Sequence, residues 1–205
     1  MLRIGWFQTL RLNIRVLGVP GLRTLPIFVH RRVRVSIGSN GSVRVPRTAA
    51  RGSIVLEPGC RFVINGQLEF GGPAEFGEAC ELFVAEEARL RFGGNFSVRK
   101  RLSLNCLAGI EFGSDCLLSW GVTVLDSDFH KILVDDTQVN DNSPISVGSN
   151  VWLGTNVIVL KGVTIADGVV VGSGSLVAKS LDQANSIYGG NPAKVLRTGQ
   201  VRWER

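Results

Sequence analysis

A mainly β structure of stacked, three-sided coils is the fold that the sequence predicts, with a short helical head before it and a tail after it. Apolar residues recur every six positions over most of the chain, glycine or alanine often follows them, and the first 35 residues lack this period. A period of six fits neither the 3.6 residues of an α-helical turn nor a plain alternating strand. Each unit is therefore one short strand with one turn, and stacking the coils buries the apolar positions in a common core.

The head, residues 1–35, is expected to be partly helical. Leu10, Ile14 and Leu17 recur at helical spacing among arginines, and the glycines and proline of residues 18–21 end the predicted helix. A second short element is expected through residues 25–28.

Positive charge is concentrated in the N-terminal part of the chain. Residues 1–56 hold ten arginines and no acid, although the formal charge of the whole chain is only +6. A region this basic can meet an anionic membrane surface, a phosphorylated substrate or a nucleic acid, and it can equally be a solvated face. For the helix itself two roles stay open: docking on the inner face of a membrane, or capping the open end of the coils.

The coils are expected over residues 36–182, followed by a tail at residues 183–205. Their period is cleanest near the C-terminal end, where an aliphatic residue stands at every sixth position: Val147, Leu153, Val159, Ile165, Val171 and Val177. Earlier the register slips around residues 62–70, 82–92 and 104–112, which predicts imperfect corners in the middle of the stack.

The four cysteines indicate neither a metal site nor a disulfide framework. They are too far apart for a CxxC motif, and no segment resembles a secretion signal or a membrane span, so free thiols in a reducing cytoplasm are expected. Cys60, Cys80 and Cys116 each fall four positions after an apolar repeat residue, as small core or corner residues do. With only two histidines, the chain cannot build a three-histidine zinc site within one subunit, and no metal is expected.

Several runs in the C-terminal half carry a family likeness. Val-Gly-Ser-Asn-Val-Trp-Leu-Gly at 147–154, Lys-Gly-Val-Thr-Ile at 161–165 and Val-Gly-Ser-Gly-Ser-Leu-Val at 171–177 precede Gly-Gly-Asn-Pro-Ala-Lys at 189–194. In order and spacing the chain resembles the hexapeptide-repeat acyltransferases over residues 112–197. The resemblance implies a left-handed parallel β-helix, which is an exception to the usual crossover rule. It also implies a homotrimer with an acyl-coenzyme A site between neighbouring subunits.

The period breaks between Val124 and Val147, where a loop at residues 126–146 holds His130. Loops this long inside a compact domain are usually functional or disordered, and the resembling family keeps its catalytic base in this interruption. A neutral imidazole that takes the proton of an attacking hydroxyl contributes roughly 10² to 10⁴ in rate. We therefore expect His130 to act as the general base in a direct attack on the thioester, without an acyl-enzyme.

Three further residues are candidates for the catalytic site. Asp126 and Asp128 precede His130 by four and two residues, and either carboxylate, or equally a backbone carbonyl, is a candidate to hold the imidazole in one tautomer. Asn105 lies where the resembling family often has an asparagine that faces the acceptor or the thioester oxygen. The alternative for Asn105 is an asparagine in a corner turn.

Coenzyme A is long and anionic, so its site needs exposed backbone amides, apolar walls and cations for its phosphates. The positions that the resemblance assigns to it are Trp152, Gly154, Thr155, Gly172, Ser173, Ala178, Lys179, Lys194 and Arg197. Thr155 and Ser173 are expected to lie one above the other on successive coils. Lys194 and Arg197 are assigned to the nucleotide phosphates, with solvated surface charge as the alternative. Trp152 is assigned to the reacting end, with packing at a trimer interface as the alternative.

Together these features predict transfer of an acetyl group from acetyl-CoA to a hydroxyl of a sugar or of a bacterial surface polysaccharide precursor. An N-acyltransferase that acts on a nucleotide-linked amino sugar is the first alternative, and a non-enzymatic β-helix scaffold is the second. The expected partners are two further copies of the chain and a sugar or polysaccharide acceptor. Through residues 1–20, the anionic inner face of a membrane is one alternative partner, because heads of this kind resemble those of acetyltransferases from capsule and exopolysaccharide clusters. No nucleic acid is expected.

Overall fold

The computed structural model describes residues 5–17, 27–29, 33–45 and 53–204. In chain order their elements are α1 (Trp6–Leu17), β1 (Ile27–Val29), β2 (Arg34–Ile37), β3 (Ser42–Arg44), β4 (Ile54–Leu56), β5 (Arg61–Ile64), β6 (Gln67–Phe70), β7 (Ala74–Phe76), β8 (Glu81–Val84), β9 (Arg89–Phe92), β10 (Phe96–Lys100), β11 (Ser103–Cys106), β12 (Ile110–Phe112), β13 (Leu117–Trp120), β14 (Thr123–Leu125), β15 (Leu133–Val134), β16 (Thr137–Gln138), β17 (Ile145–Val147), β18 (Trp152–Leu153), β19 (Ile158–Val159), β20 (Thr164–Ile165), β21 (Val170–Val171), β22 (Leu176–Val177), β23 (Ile187–Gly189) and β24 (Lys194–Arg197).

Three sheets form the sides of a prism. The first has the strand order β1-β4-β7-β10-β13-β18-β21-β23-β24, the second β2-β5-β8-β11-β14-β19-β22, and the third β20-β17-β12-β9-β6-β3. Strands that follow one another along the chain fall on different sheets, and each pairs in parallel with the strand one coil later, as β4 does with β7. The stacked-coil, mainly β fold predicted from the six-residue period is therefore confirmed. At its ends it differs from the expected bounds: the parallel pairing begins at Ile27, and in the tail β24 closes the first sheet antiparallel to β23.

The slips in the period come from longer sides of the prism. Ile54 pairs with Ala74 and Ala74 with Phe96, so these coils take 20 and 22 residues. Trp152 pairs with Val170, so the later coil takes only 18. Strands in the N-terminal coils are accordingly three to five residues long, whereas β18 to β22 have two residues each.

The interior changes along the prism in step with the size of the coils. The wide N-terminal coils are filled by a stack of buried phenylalanines, in which Phe92 packs 5.7 Å from Phe70 and 5.6 Å from Phe112 between ring centroids. The narrower C-terminal coils are filled by aliphatic residues such as Val159 and Val171. Close packing explains the change, because a larger cross-section needs larger side chains to leave no voids.

The helix α1 covers the N-terminal end of the stack. Its described residues run from Trp6 to Leu17, and its packed face is polar: Thr9 and Asn13 are fully buried, whereas Leu10 and Ile14 are 39% and 42% exposed. The side chain of Leu17 lies outside the described part. Of the second predicted element, residues 27–29 form β1, and residues 25 and 26 are also outside the described part.

Asn13 fixes α1 to the first coil. Its amide group donates to the carbonyl of Ile27 at 2.8 Å, and its carbonyl oxygen accepts from the amide of the same residue at 3.2 Å. Leu12 packs against the core beside it. In the described part of the chain, no helix has the length and apolar character needed to cross a membrane.

Candidate active site

The interruption of the period is an arm that leaves the edge between the second and third sheets. It follows β14 and returns to β17, and at its centre β15 and β16 pair antiparallel. Asp135 and Asp136 form the two-residue turn with φ of 48° and 60°, the left-handed values that tight hairpins of this class need. The amide of Ser143 donates to the carbonyl of Asp126 at 3.1 Å and so joins the two ends of the arm. The loop predicted at residues 126–146 is thus a folded arm that projects from the prism.

Asp126 ties the base of the arm to the previous coil. Its side chain is fully buried, and its carboxylate accepts hydrogen bonds from three consecutive backbone amides, those of Leu107, Ala108 and Gly109, each at 2.8 Å. A buried carboxylate is costly unless it is hydrogen-bonded, and these amides satisfy it. Asp126 therefore bonds the backbone of the preceding coil, not the imidazole of His130.

His130 is exposed on the arm beyond Asp126. Its backbone amide donates to the carbonyl of Asp128 at 2.7 Å, and the amide of Phe129 donates to Oγ of Ser127 at 2.9 Å. The left-handed φ of 62° at Phe129 completes this tight turn. Within the described residues the imidazole ring makes no hydrogen bond. Both ring nitrogens are therefore open to a bound substrate.

Asn140 and Lys161 support the backbone under His130, and the sequence analysis predicted neither. Asn140 Nδ2 donates to the carbonyl of His130 at 2.7 Å and to Oδ2 of Asp128 at 2.9 Å, and its Oδ1 accepts from the amide of Ile132 at 2.7 Å. Lys161 Nζ, on the next coil, donates to the same Asp128 oxygen at 2.6 Å. Lys161 first, and then Asn140, holds the pKa of the Asp128 carboxyl below its ordinary value. No sequence motif links Asp128 to Asn140 or Lys161. Only the position of Lys161 within the six-residue period could have indicated that it lies at the corner beside the arm.

Asn105 lies at the foot of the arm. It is on the outer face of the second sheet, half-buried, between its register neighbours Phe83 and Leu125. Its backbone carbonyl accepts from the amide of Asp126 at 3.5 Å. Asn105 is therefore on a strand that leads toward the arm, and not in a corner turn.

Four of the residues expected to bind coenzyme A stack along the edge between the first and second sheets. Gly154 and Thr155 lie on one coil, and Gly172 and Ser173 on the next. The amide of Thr155 donates to Oγ of Ser173 at 3.2 Å, which is the stacking that a coil of 18 residues predicts. Glycine at 154 lets the two coils approach closely, because a Cβ there would lie 2.7 Å from the carbonyl oxygen of Val171.

Trp152 lies on the outer face of the first sheet beside that edge. Its indole N–H donates to Oγ of Ser119 at 3.0 Å, and its ring centroid is 6.0 Å from that of Trp203. The indole N–H of Trp203 in turn donates to the carbonyl of Asn150 at 2.9 Å. The C-terminal tail thus folds back onto the first sheet, an aromatic contact that the sequence did not predict.

The remaining expected ligands of coenzyme A lie elsewhere. Ala178 and Lys179 are exposed directly after β22, at the edge from which the arm leaves. Lys194 and Arg197 are exposed on β24, at the end of the first sheet. The predicted residues therefore fall on both edges of the second sheet, and the arm with His130 leaves one edge while the Thr155 and Ser173 stack lies on the other.

Burial shields the four cysteines and raises the pKa of one of them. All four are free and buried, and burial first, then the charge of Asp126, raises the pKa of Cys106 to about 12. A thiol that stays protonated is a poor nucleophile. In the described residues no three or more histidine, cysteine, aspartate or glutamate side chains lie together as a metal ion would need; His30 is outside that part of the chain.

Known proteins resemble the chain in its repeat and in its fold. Residues 144–179 match the bacterial transferase hexapeptide (six repeats) family model. No curated protein is significantly similar to the chain.

Among solved structures, the polySia-specific acetyltransferase NeuO superposes with a TM-score of 0.65 at 22% identity, over 86% of this chain and 90% of NeuO. AntD, an N-acyltransferase from Bacillus cereus solved with dTDP and 3-hydroxybutyryl-CoA, superposes with a TM-score of 0.52 at 17% identity, over 84% of this chain and 79% of AntD. A point mutant of AntD in complex with dTDP and coenzyme A gives 0.57 at 17% identity, over 87% and 81% of the two chains.

At these identities the superpositions compare folds, and the fold they share is the stack of parallel coils described above. The match over residues 144–179 falls in the cleanest coils, those of 18 residues. The chain is thus similar to the bacterial transferase hexapeptide family over residues 144–179, and to these solved structures in its fold.

Proposed function

We propose that the protein transfers an acetyl group from acetyl-CoA to a hydroxyl of a sugar or of a surface polysaccharide precursor, with His130 as the general base. The observation that carries this proposal is the exposed imidazole, held on a folded arm that interrupts the hexapeptide coils. The proposal is also supported by the likeness to NeuO, an acetyltransferase specific for polySia, and to the N-acyltransferase AntD.

The proposed reaction is a single displacement. The acceptor oxygen bonds to the thioester carbonyl carbon while its proton passes to a ring nitrogen of His130. The carbon–sulfur bond then breaks, and the imidazolium returns the proton to the departing thiolate of coenzyme A. Histidine suits both steps because its ordinary pKa of about 6.5 lets it accept and release a proton near neutral pH.

Three residues around the base are proposed as positioning residues. Asp128 and Asn140 bond to the backbone of His130 or to each other, and Asp126 holds the base of the arm through three amides. These contacts hold the backbone of His130, and neither a carboxylate nor a backbone carbonyl of the described residues bonds its ring. Asn105, at the foot of the arm, is proposed to face the acceptor or the thioester oxygen.

A homotrimer would complete the site. The outer face of the second sheet carries apolar side chains, among them Phe83, Leu125, Leu176 and the 39% exposed Ile158. On the third sheet the outer face carries ion pairs instead, as between Arg44 and Glu69. Apolar faces with few charges are typical of permanent subunit interfaces. We infer that the part of this face from Phe83 on β8 to Leu176 on β22 meets a neighbouring copy, so that the arm of one subunit closes the groove along the next; Arg34 on β2 and Arg61 on β5 lie outside it.

Coenzyme A is proposed to lie along that groove. The stack of Thr155 and Ser173 offers hydroxyl groups on successive coils, and Trp152 offers an apolar wall beside them. Ala178 and Lys179 belong to the edge that the neighbouring copy presents. The exposed cations Lys194 and Arg197 are proposed to bind the nucleotide phosphates, for which the fork of a guanidinium is well suited.

One observation favours a nitrogen acceptor as the second candidate: AntD is an N-acyltransferase, and its structures contain dTDP together with an acyl-CoA or coenzyme A. A panel of free sugars, nucleotide-linked amino sugars and polysaccharides, incubated with acetyl-CoA, tests both readings through release of the coenzyme A thiol. We expect thiol release with a hydroxyl acceptor and a product that hydroxylamine cleaves, because esters react with it readily and amides resist. A hydroxylamine-stable product would establish the amine reading, and no release above hydrolysis with any acceptor would contradict the proposal.

A further inference from the structure

The helix α1 has two faces with different properties. One packs on the prism through the fully buried Thr9 and Asn13. The other is apolar and exposed: Phe7 is 78% exposed, Ile14 42% and Leu10 39%. At 100° per residue these three side chains fall within an arc of about 60°, centred about 110° around the helix from Thr9 and Asn13. The helix is therefore fixed to the protein and still presents an apolar stripe outward.

Arginines lie directly beside this stripe. Arg11 follows it on the helix, and together with Arg34 and Arg61, from the first two strands of the second sheet, it lines one surface depression with a volume of about 850 Å³. None of these three guanidinium groups forms an ion pair within the described residues, although Glu81 is the register neighbour of Arg61 on the next coil.

The third sheet shows how differently this chain treats arginine elsewhere. There Glu69 bridges Arg44 at 3.1 Å and Arg89 at 2.6 Å, and Glu111 pairs with Arg91. The arginines near α1 are thus a group without ion pairs among the described residues, in contrast to the arginines of the third sheet. Unpaired cations in a shared depression favour an anionic ligand.

We propose that this surface, formed by Phe7, Leu10 and Ile14 with Arg11, Arg34 and Arg61, docks the protein on an anionic lipid bilayer. Apolar side chains beside arginines match the boundary between acyl chains and headgroup phosphates. A second copy of the same surface does not match, because their contact would bring unpaired arginines together, and the proposed trimer contact uses the second sheet from β8 onward. A soluble anion would leave the apolar stripe without a partner. The basic N-terminal part of the chain, with ten arginines and no acid in residues 1–56, extends the same charge complementarity.

The helix α1 can then have both roles, because one face caps the prism and another is free to dock. Because α1 closes the end of the stack, a flat surface can reach the stripe without contact with the arm that carries His130, which leaves the prism three strands further along the second sheet than β5. The proposal does not depend on the acyl transfer, and its test does not measure activity.

Co-sedimentation of the full chain with vesicles tests the proposal. We expect binding to vesicles of equal parts phosphatidylglycerol and phosphatidylcholine, weaker binding as salt rises, and little binding to phosphatidylcholine alone. Each arginine near an anionic surface contributes about fivefold in affinity, so the triple variant R11Q/R34Q/R61Q is expected to bind on the order of 10²-fold more weakly. F7S/I14S is expected to lose about tenfold or more, since its apolar side chains would no longer insert.

Matched controls are R99Q and V134S, which change an exposed arginine and an exposed apolar residue far from α1 along the chain. Both should bind vesicles like the wild type. All these positions are exposed, so an unchanged thermal midpoint shows that the variants are folded. Equal binding to neutral vesicles, or unchanged binding of the arginine variant, would overturn the proposal. So would the finding that the wild type forms larger oligomers through the stripe and that F7S/I14S breaks them.

Discussion

Asp126 shows how a residue can matter to the site without touching it. Its two carboxylate oxygens accept from three backbone amides of the preceding coil, and a carboxylate accepts such bonds more strongly than a neutral amide does. The arm can therefore leave the prism at a fixed point. Because His130 follows four residues later, its position on the arm depends on this contact.

Asp126→Asn is expected to destabilise the protein. The new side chain has one accepting oxygen in place of two and points an NH2 group at a backbone amide, which leaves a buried donor without a partner at a cost of roughly 1–3 kcal/mol. For a chain of this size the thermal midpoint should fall by about 2–4 °C for each kcal/mol. Asp136→Asn, in the exposed hairpin turn, is the matched control and should leave the midpoint unchanged, as measured by calorimetry. Equal midpoints for the two variants would contradict the role of the buried carboxylate.

The sequence predicts the arm and its histidine, but not the contacts beneath the histidine. His130 stands out because it lies where the period stops. Asn140 and Lys161 do not, because their bonds to Asp128 span 12 and 33 residues and exist only once the arm has folded back on the coil. Such contacts depend on the path of the loop, which no local pattern encodes.

Among the elements, the N-terminal coils depend on aromatic packing. Their 20 and 22 residues enclose a wider cross-section than the later 18, and stacked phenylalanines fill it. The six-residue period predicts strands and turns here, but the register shifts that it shows predict imperfect corners. The structure shows that these shifts come from longer sides. In a four-residue strand two residues point inward, so the apolar period locally becomes two.

Phe92→Ala is expected to reduce the free energy of unfolding by about 3–5 kcal/mol, because the ring lies fully buried between Phe70 and Phe112 and its loss leaves a cavity. Val171→Ala, in a narrow coil, removes far fewer atoms and serves as the control, with a smaller loss. Equilibrium unfolding in denaturant measures both. A loss for Phe92→Ala no larger than for Val171→Ala would contradict the aromatic packing account.

The helix α1 illustrates the same limit at the level of an element. Helical spacing predicts a helix here, and the structure confirms it over Trp6–Leu17. The spacing of apolar residues does not predict which face packs, because the packed face is held by the two hydrogen bonds of Asn13 to Ile27 and not by apolar contacts alone.

At the scale of the whole molecule, the proposed active site needs a trimer. One subunit places the arm and the Thr155 and Ser173 stack on different edges of the second sheet, so a neighbouring copy is needed to bring an arm against a stack. The sequence suggests this assembly only through resemblance, since an interface face and a solvated face of a β-helix share the same period.

Ile158→Glu is expected to break the trimer and with it the activity. The side chain is exposed on the apolar outer face of the second sheet, where a buried, unpaired carboxylate in an interface costs several kcal/mol. Thr164→Glu, on the outer face of the third sheet in the same coil, is the matched control. Light scattering after size exclusion should give three times the 22.2 kDa chain mass for the wild type and the control, and one chain for Ile158→Glu. A trimer in all three would contradict the proposed interface.

The central claim is that His130 is the base of an acyl transfer from acetyl-CoA, and steady-state kinetics of His130→Ala with the acceptor found in the panel tests it most directly. We expect kcat to fall by at least about 10², while the dissociation constant of coenzyme A changes little, because the arm is proposed to bind the proton and not the cofactor. Lys131→Ala, the next residue along the arm, should retain the wild-type kcat. Unchanged turnover in His130→Ala, or a loss of coenzyme A binding that accounts for the lower rate, would contradict the assignment.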